Sequence, residues 1–359
     1  MAGNGKRKID FFFNPKSIAV IGASPIPGKL SHIIMESLEN SGFKGALYPV
    51  NPRYKEVMGL KCHPDIRSIG ADVDIAVFAV PAPMVRELFK EAGGRIKGAI
   101  VVGGGFSETG SEGREIEKKL KEAAGEEGIR VIGPNCMGIY DTVSDVDTLF
   151  ISKDRIRRPE RGRISILSQS GSFALTAMDE FSGLGIGVSR VVSYGNKIDV
   201  DEADCLDFLS DDDSTDVIIL YIEGIEDGRR FVESAARTSG KKTVMAWKVG
   251  KGGAAISAAQ SHTGAMAGRY EIYRAAFKKA GIIEISGYEE FMDACRVLTR
   301  LDWAKGNRVV IITDGGGLGV SIADACAAAG LDVAPLPDYK KEALRPSFPP
   351  YFVVRNPLD

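Results

Sequence analysis

Ser17-IAVIGAS, Gly162-RISILSQSGS and Asn307-RVVIITDGGGLG share one plan. Each is a short β-branched run, then a Gly/Ser-rich turn, then the opening of a helical pattern, which is how a parallel βα unit begins. Parallel strands need crossover connections, and the crossovers cover the sheet with helices. The three openings therefore predict an α/β protein of three consecutive parallel domains.

Outward from the first opening, strands are expected at Ala46-LYPV, Asp74-IAVFAV, Gly98-AIVVGG and Arg130-VIG, so that a first domain fills residues 1–152. Lys153-DRIRRPERGR is basic, carries a proline and lacks apolar periodicity, and reads as a linker over 153–163. A second domain, 164–300, offers strands at Ile164-SILS, Val188-SRVVSY, Asp216-VIILYIEG and Lys242-TVMAWKVG, and ends near Ile283-EISG. Residues 301–359 hold a strand after Asn307, a helix from Leu318 to Ala329, a second strand at Leu331-DVAPL and a tail ending Asn356-PLD. Two strands cannot cover both faces of a parallel sheet, so this part is expected to be the start of a further domain, interrupted at Asp359.

Composition narrows the classes. With 44% hydrophobic and 26% charged residues in 359, the chain has neither a disordered nor a fibrous composition. A net charge of -2 supplies no general field for nucleic acid, so any anion must be recognised locally. No apolar stretch reaches membrane-spanning length, and basic Met1 to Lys8 is followed only by Phe11 to Phe13, too short for a signal peptide. Cys62, Cys136, Cys205, Cys295 and Cys326 are scattered without a CxxC pair or a neighbouring histidine. They read as reduced thiols in the cytoplasm, and no metal site is expected.

In the first domain, the turn Gly22-ASPIPGKLS lies between strand and helix, where backbone N–H groups and the helix dipole favour a phosphate. Gly22, Ala23, Ser24 and Lys29 are its candidate contacts; a tight turn without ligand is the plain alternative. Ser24 stands where a dinucleotide fingerprint would have its second glycine. The next strand ends Asn51-Pro52-Arg53 rather than in the Asp or Glu that holds an NAD ribose, and Arg53 suits a ribose phosphate such as the 3′-phosphate of CoA. Three further strand-end loops extend the candidate pocket: Val80 with Pro81, Gly105 with Phe106 and Glu108, and Asn135 with Cys136.

Of the three histidines, His32 and His63 read as surface residues. His262 lies in Ser257-AAQSHTGAMAG, a loop of small residues that leaves an imidazole uncrowded. A structural histidine in a glycine-rich turn is the alternative. Two other elements favour chemistry. Ser168-QSGSFA supplies hydroxyls and backbone N–H groups at a helix start, with Ser168, Gln169, Ser170, Gly171 and Ser172 as phosphate contacts beside Gly264. Glu223 ends a strand and offers a carboxylate to orient the imidazole and stabilise the cation formed on attack.

Phe12-FNPKSIAVIGAS, Gly103-GGFSETG, Gly133-PNCMGI, Leu167-SQSGSFA, Tyr194-GNKIDVD, Tyr221-IEG and Ser261-HTGAMAG, in that order and over nearly the whole chain, resemble the α subunit, or N-terminal half, of ADP-forming acetyl-CoA and acyl-CoA synthetases, relatives of succinyl-CoA synthetase. The resemblance implies a Rossmann-like CoA-binding domain followed by flavodoxin-like domains. It implies that acyl-CoA and phosphate give acyl phosphate and CoA, that the acyl phosphate phosphorylates the loop histidine matched by His262, and that the phosphohistidine passes its group to ADP. Glu223 matches the orienting carboxylate, and Ser168 to Ser172 match the phosphate-binding helix start. ADP/ATP and Mg2+ would then bind an ATP-grasp β partner or C-terminal half, in an oligomeric enzyme without nucleic-acid or membrane partners. Two other readings remain open here: a CoA-binding module without phosphoryl transfer, as in a protein acetyltransferase, and an NAD(P)-dependent oxidoreductase.

Overall fold

The apolar runs bounded by glycine turns become strands, and the amphipathic stretches between them become helices. The computed structural model describes residues 9–252, 269–300 and 306–359. In chain order the first elements are β1 (Ser17–Ile21), α1 (Leu30–Ser41), β2 (Ala46–Val50), a small ribbon of β3 (Glu56–Val57) and β4 (Leu60–Lys61), β5 (Val73–Phe78), α2 (Ala82–Ala92), β6 (Ile96–Val101), α3 (Ser111–Glu127) and β7 (Arg130–Ile132). β1, β2, β5, β6 and β7 form a parallel sheet in the order β2-β1-β5-β6-β7. All of β1 and β5 is buried, as expected of strands covered on both faces.

A second sheet follows: β8 (Gly138–Asp141), β9 (Val146–Asp147), β10 (Arg161–Ser168), then α4 (Gly171–Leu184), β11 (Val188–Ser193), α5 (Glu202–Ser210), β12 (Val217–Ile222), α6 (Gly228–Ser239), β13 (Thr243–Lys248), α7 (Tyr270–Ala280), β14 (Ile283–Glu284) and α8 (Tyr288–Arg300). Its order is β14-β13-β12-β10-β11-β8-β9. β10 to β14 run parallel, while β8 is antiparallel to β11. In both sheets the strand that opens the unit lies between the second and third parallel strands, the doubly wound 2-1-3-4-5 order of flavodoxin-like folds.

The crossing from one sheet to the next falls earlier than the basic stretch suggests. The β8–β9 hairpin belongs to the second sheet because Arg190 on β11 pairs with Asp141 on β8 at 2.9 Å, both nearly fully buried. Nor is 153–163 a free connection. Arg158 binds buried Asp147 at 2.9 Å, Arg157 pairs with Asp179, and β10 already begins at Arg161. One hydrophobic core runs from Ile18, Val20 and Ile75 in the first sheet to Leu167, Val192 and Leu220 in the second, so the two sheets form a single compact unit, Met1–Thr299.

Arg300–Asp359 is a separate unit. It holds α9 (Gly316–Ala328), α10 (Asp338–Leu344) and a small cluster of Leu336, Val354 and Leu358. The runs expected as strands are reduced to isolated bridges, Arg308 with Asp332 and Ile312 with Leu358. Val310 and Ile312 in the first of these runs are exposed. Among the described residues no helix is long and apolar enough to cross a membrane.

Candidate active site

In a doubly wound sheet the crevice opens where the strand order reverses, here between β1 and β5 and between β10 and β12. At the first, Gly22 has φ +86°, and a Cβ on it would lie 2.7 Å from the Ala79 carbonyl oxygen and 2.8 Å from Val80. Only glycine lets these two loops close on each other. Asn51 at the end of β2 donates to the Ala23 carbonyl at 2.8 Å and accepts from the Arg53 amide at 3.0 Å. Its amide therefore shapes the turn. Lys29, Arg53 and Pro81 are exposed around it, while Ala23 and Ser24 are buried.

The loop after β6 is organised by Glu108. One carboxylate oxygen accepts from the Gly105 amide at 2.6 Å and the Phe106 amide at 3.1 Å; the other accepts from Asn196 at 2.9 Å. Burial alone would raise its pKa, but these bonds, Asn196 first, outweigh that and hold the carboxyl below its ordinary range. Phe106, expected to face the ligand, is instead a core residue packed with Phe78, Phe89 and Leu120. His63 likewise departs from the surface reading: it is buried, with Nδ1 3.1 Å from the Ser68 carbonyl. His32 opens α1, its Nδ1 3.1 Å from the Ser24 carbonyl.

At the second crevice Ser170 caps α4, its hydroxyl accepting from the Phe173 amide and lying 3.0 Å from Ser172 Oγ. The buried Ser168 hydroxyl accepts from the Ser170 amide and donates to the Ser170 carbonyl. Gln169 reaches across: its Oε1 accepts from the Glu223 amide at 2.5 Å and the Gly224 amide at 2.9 Å. Lys248 donates to the Glu223 carbonyl at 2.8 Å and Lys197 to the Gly224 carbonyl at 2.5 Å. Every backbone N–H and C=O of the Glu223–Gly224 turn is thus held by a buried side chain. Burial lowers the pKa of Lys248 to about 8.

A cavity of 230 Å³ lies where the loops after β6 and β7 meet the start of α4 at the second crevice. Asn135 and Cys136 from the first sheet's loops line it together with Gln169, Ser170, Gly171 and Ser172, and with Gly195 and Asn196. Val102, Met137 and Phe150 give it an apolar side. The Cys136 thiol bonds the Val101 carbonyl, and burial pushes its pKa up to about 12, which makes it an inert wall rather than a nucleophile. His262 and Gly264 lie outside the described residues.

Sequence reading passed over three polar residues here. Asn196 and Lys197 stood in a quoted motif without a role, and Lys248 carries only a faint signal, a cation ending an otherwise apolar strand.

Two doubly wound sheets joined through one core, with a glycine turn at the first switch point and a hydroxyl-lined helix start beside a cavity at the second, have the architecture of an α/β protein whose ligands bind at strand ends. Three family models divide the chain between them: a CoA binding domain over 16–142, a succinyl-CoA ligase like flavodoxin domain over 161–298 and a Ligase-CoA domain over 309–359. The chain is 44% identical over 93% of its length to acetate–CoA ligase [ADP-forming] I of Archaeoglobus fulgidus, of which it spans 47%. It is 41% identical over 98% of its length to the α subunit of acetate–CoA ligase [ADP-forming] II of Pyrococcus furiosus, of which it spans 76%. Among solved structures, a dinucleotide-forming acetyl-coenzyme A synthetase 1 of Ca. Korarchaeum cryptofilum, in complex with phosphate and ADP, matches 98% of the chain with TM-score 0.92 and 36% identity, over 75% of its own length. The chain belongs to the ADP-forming acetate–CoA ligase family, as the α-type part of such enzymes.

Proposed function

We propose that the chain is the CoA-binding, phosphohistidine-carrying α part of a cytoplasmic, oligomeric ADP-forming acyl-CoA synthetase that works with an ATP-grasp β partner holding ADP/ATP and Mg2+. The observation that carries the reading is the shared cavity, which sets the Asn135–Cys136 loop of the CoA-binding part beside the Ser170–Ser172 helix start. A thioester entering along the first crevice would meet phosphate held by N–H and hydroxyl donors at the start of α4.

In the proposed sequence a phosphate oxygen adds to the thioester carbonyl, the C–S bond breaks, and CoA leaves with the proton released by phosphate. The His262 imidazole then attacks phosphorus, the P–O bond to the acyl group breaks, and the carboxylate departs. ADP finally takes the phosphoryl group as the P–N bond breaks. Glu223 serves as the carboxylate that orients the imidazole and stabilises its charge. Its backbone is fixed by Gln169, Lys197 and Lys248. CoA contacts are assigned to Gly22, Ser24, Lys29, Arg53, Val80, Pro81, Gly105 and Asn135, with Asn51 and Glu108 shaping the turns that carry them.

The test is phosphorylation with radiolabelled ATP in the presence of the β partner. The parent should take up acid-labile, base-stable label, and His262→Asn should take up none while binding CoA normally. Label that persists in His262→Asn would defeat the assignment.

A further inference from the structure

The segment from Tyr194 to Val200 leaves β11 and runs beside β7, the edge strand of the first sheet. Its backbone is pinned there: the Asn196 amide donates to the Pro134 carbonyl at 3.0 Å, Ile198 to Gly133 at 3.1 Å and Val200 to Val131 at 3.0 Å. Gly195 lies so close that a Cβ on it would be 2.2 Å from the Asn135 carbonyl oxygen. The two residues that follow bind different halves of the site.

We infer that Asn196 and Lys197 are positioning residues that couple the Gly105–Glu108 loop of the CoA-binding part to the Glu223–Gly224 turn of the phosphate part, and so fix where the acyl thioester meets phosphate. The inference rests on the function proposed above. Asn196 Nδ2 donates to Glu108 at 2.9 Å, to Glu117 at 2.7 Å and to the Ser107 hydroxyl at 3.0 Å. Ionised carboxylates only accept, so the amide must turn its NH2 toward them, which leaves Oδ1 to accept from Asn135 at 3.3 Å. Through Glu108 the same side chain reaches the Gly105 and Phe106 amides, and through Asn135 it reaches the cavity wall.

Lys197 carries the connection onward. It is buried, and its ammonium is shared between both oxygens of buried Glu202, at 3.0 and 2.9 Å, and the Gly224 carbonyl. Its φ of +48° is in the left-handed region, and so is the +55° of Asn135. Two non-glycine residues in that region, on facing loops beside one cavity, mark a local conformation that the surroundings impose at a cost. An ion pair alone would need neither the conformation nor the bond to Gly224. The combination is explained if the backbone at 195–197 is bent so that one residue grips each half.

The test uses the full chain with its ATP-grasp partner and separates two ways of labelling His262: from radiolabelled ATP, and from acetyl-CoA with radiolabelled phosphate. Only the second needs the thioester and phosphate to be placed together. A misplacement of about 1 Å costs up to about 100-fold. Asn196→Ala should therefore lower the initial rate of acetyl-CoA-dependent labelling by roughly ten- to 100-fold, with the ATP-dependent rate within about twofold of the parent. Lys197→Met combined with Glu202→Gln leaves no unpaired buried charge but frees the Glu223–Gly224 turn, and should lower labelling in both arms. For Asn196→Ala, equal losses in both arms or an unchanged acetyl-CoA arm would overturn the coupling, and so would parent-like labelling from acetyl-CoA in the Lys197 and Glu202 double variant. A parent unlabelled in the ATP arm would instead overturn the proposed function itself.

Discussion

Gln169→Leu isolates the join between the helix start and the Glu223 turn. The parent side chain is buried and its Oε1 accepts from two backbone amides, Glu223 and Gly224. Leucine fills similar space but leaves both N–H groups without that acceptor. A buried donor stripped of its partner costs about 1–3 kcal/mol, so the loss should be about 2–6 kcal/mol, with relaxation of the turn favouring the lower half. For a unit as large as Met1–Thr299 each kcal/mol moves the midpoint by about 2 °C, which predicts a fall of roughly 4–8 °C. Gln169→Glu is the control: a carboxylate oxygen can accept both amides and should restore most of the midpoint, yet it adds a negative charge beside Glu223 and the phosphate site. Thermal unfolding and ATP-dependent labelling should therefore dissociate, with Leu losing both stability and labelling and Glu losing chiefly labelling. A midpoint for Gln169→Leu within about 1 °C of the parent would refute the argument that this side chain holds the turn.

Burial lowers the Lys248 pKa from 10.5 to about 8, so between those values the folded chain binds fewer protons than the unfolded one. Stability should then rise with pH across that window, and urea titrations of Lys248→Met should show a smaller rise; an identical slope would contradict the buried ammonium. Arg53 is exposed beside the Asn51 turn, and a charge-assisted bond to a 3′-phosphate is worth about 1.5–3 kcal/mol, so calorimetry should show CoA binding roughly tenfold or more tighter than dephospho-CoA. Arg53→Ala should erase that preference. In hydrogen exchange, amides of 306–359 should be less protected than those of β12, because among the described residues that unit's core is the small Leu336, Val354 and Leu358 cluster, whereas β12 is buried in the large central one.

Most of the sheet architecture was legible because it is written in local patterns. Ser17 to Ile21, Ile164 to Ser168 and Val217 to Ile222 are runs rich in β-branched residues that stop at Gly22, Gln169 and Glu223, and they lie in the strands that such runs predict. The β8–β9 hairpin was hidden because what assigns it to the second sheet is a pairing with β11 and the ion pair from Arg190, 49 residues away. The same limit applies to individual residues. A motif reading places Phe106 in a loop that follows a strand end, but it cannot see the side chain turn back into the core between α2 and α3. His63 looked exposed in a polar loop, and only the fold shows the Tyr48 ring 5.8 Å from it, edge to face.

Asn196 shows why the joining parts of a site are harder to read than its loops. Strand order alone predicts where crevices open, so the turns at Gly22, Ser168 and Glu223 could be found by walking along strands. The carboxylate and hydroxyl partners of Asn196 lie 79 to 89 residues away in sequence, and nothing local marks an asparagine as the bridge between two carboxylates. Yet these non-local bonds decide what the loops can do. The two sheets share one core, the crossing segment is tied to the first sheet by its backbone, and the Glu223–Gly224 turn is held at every polar backbone atom. A cradle fixed in this way bears its ordering cost during folding rather than when ligands bind, which is what placing phosphate, thioester and imidazole within reacting distance requires.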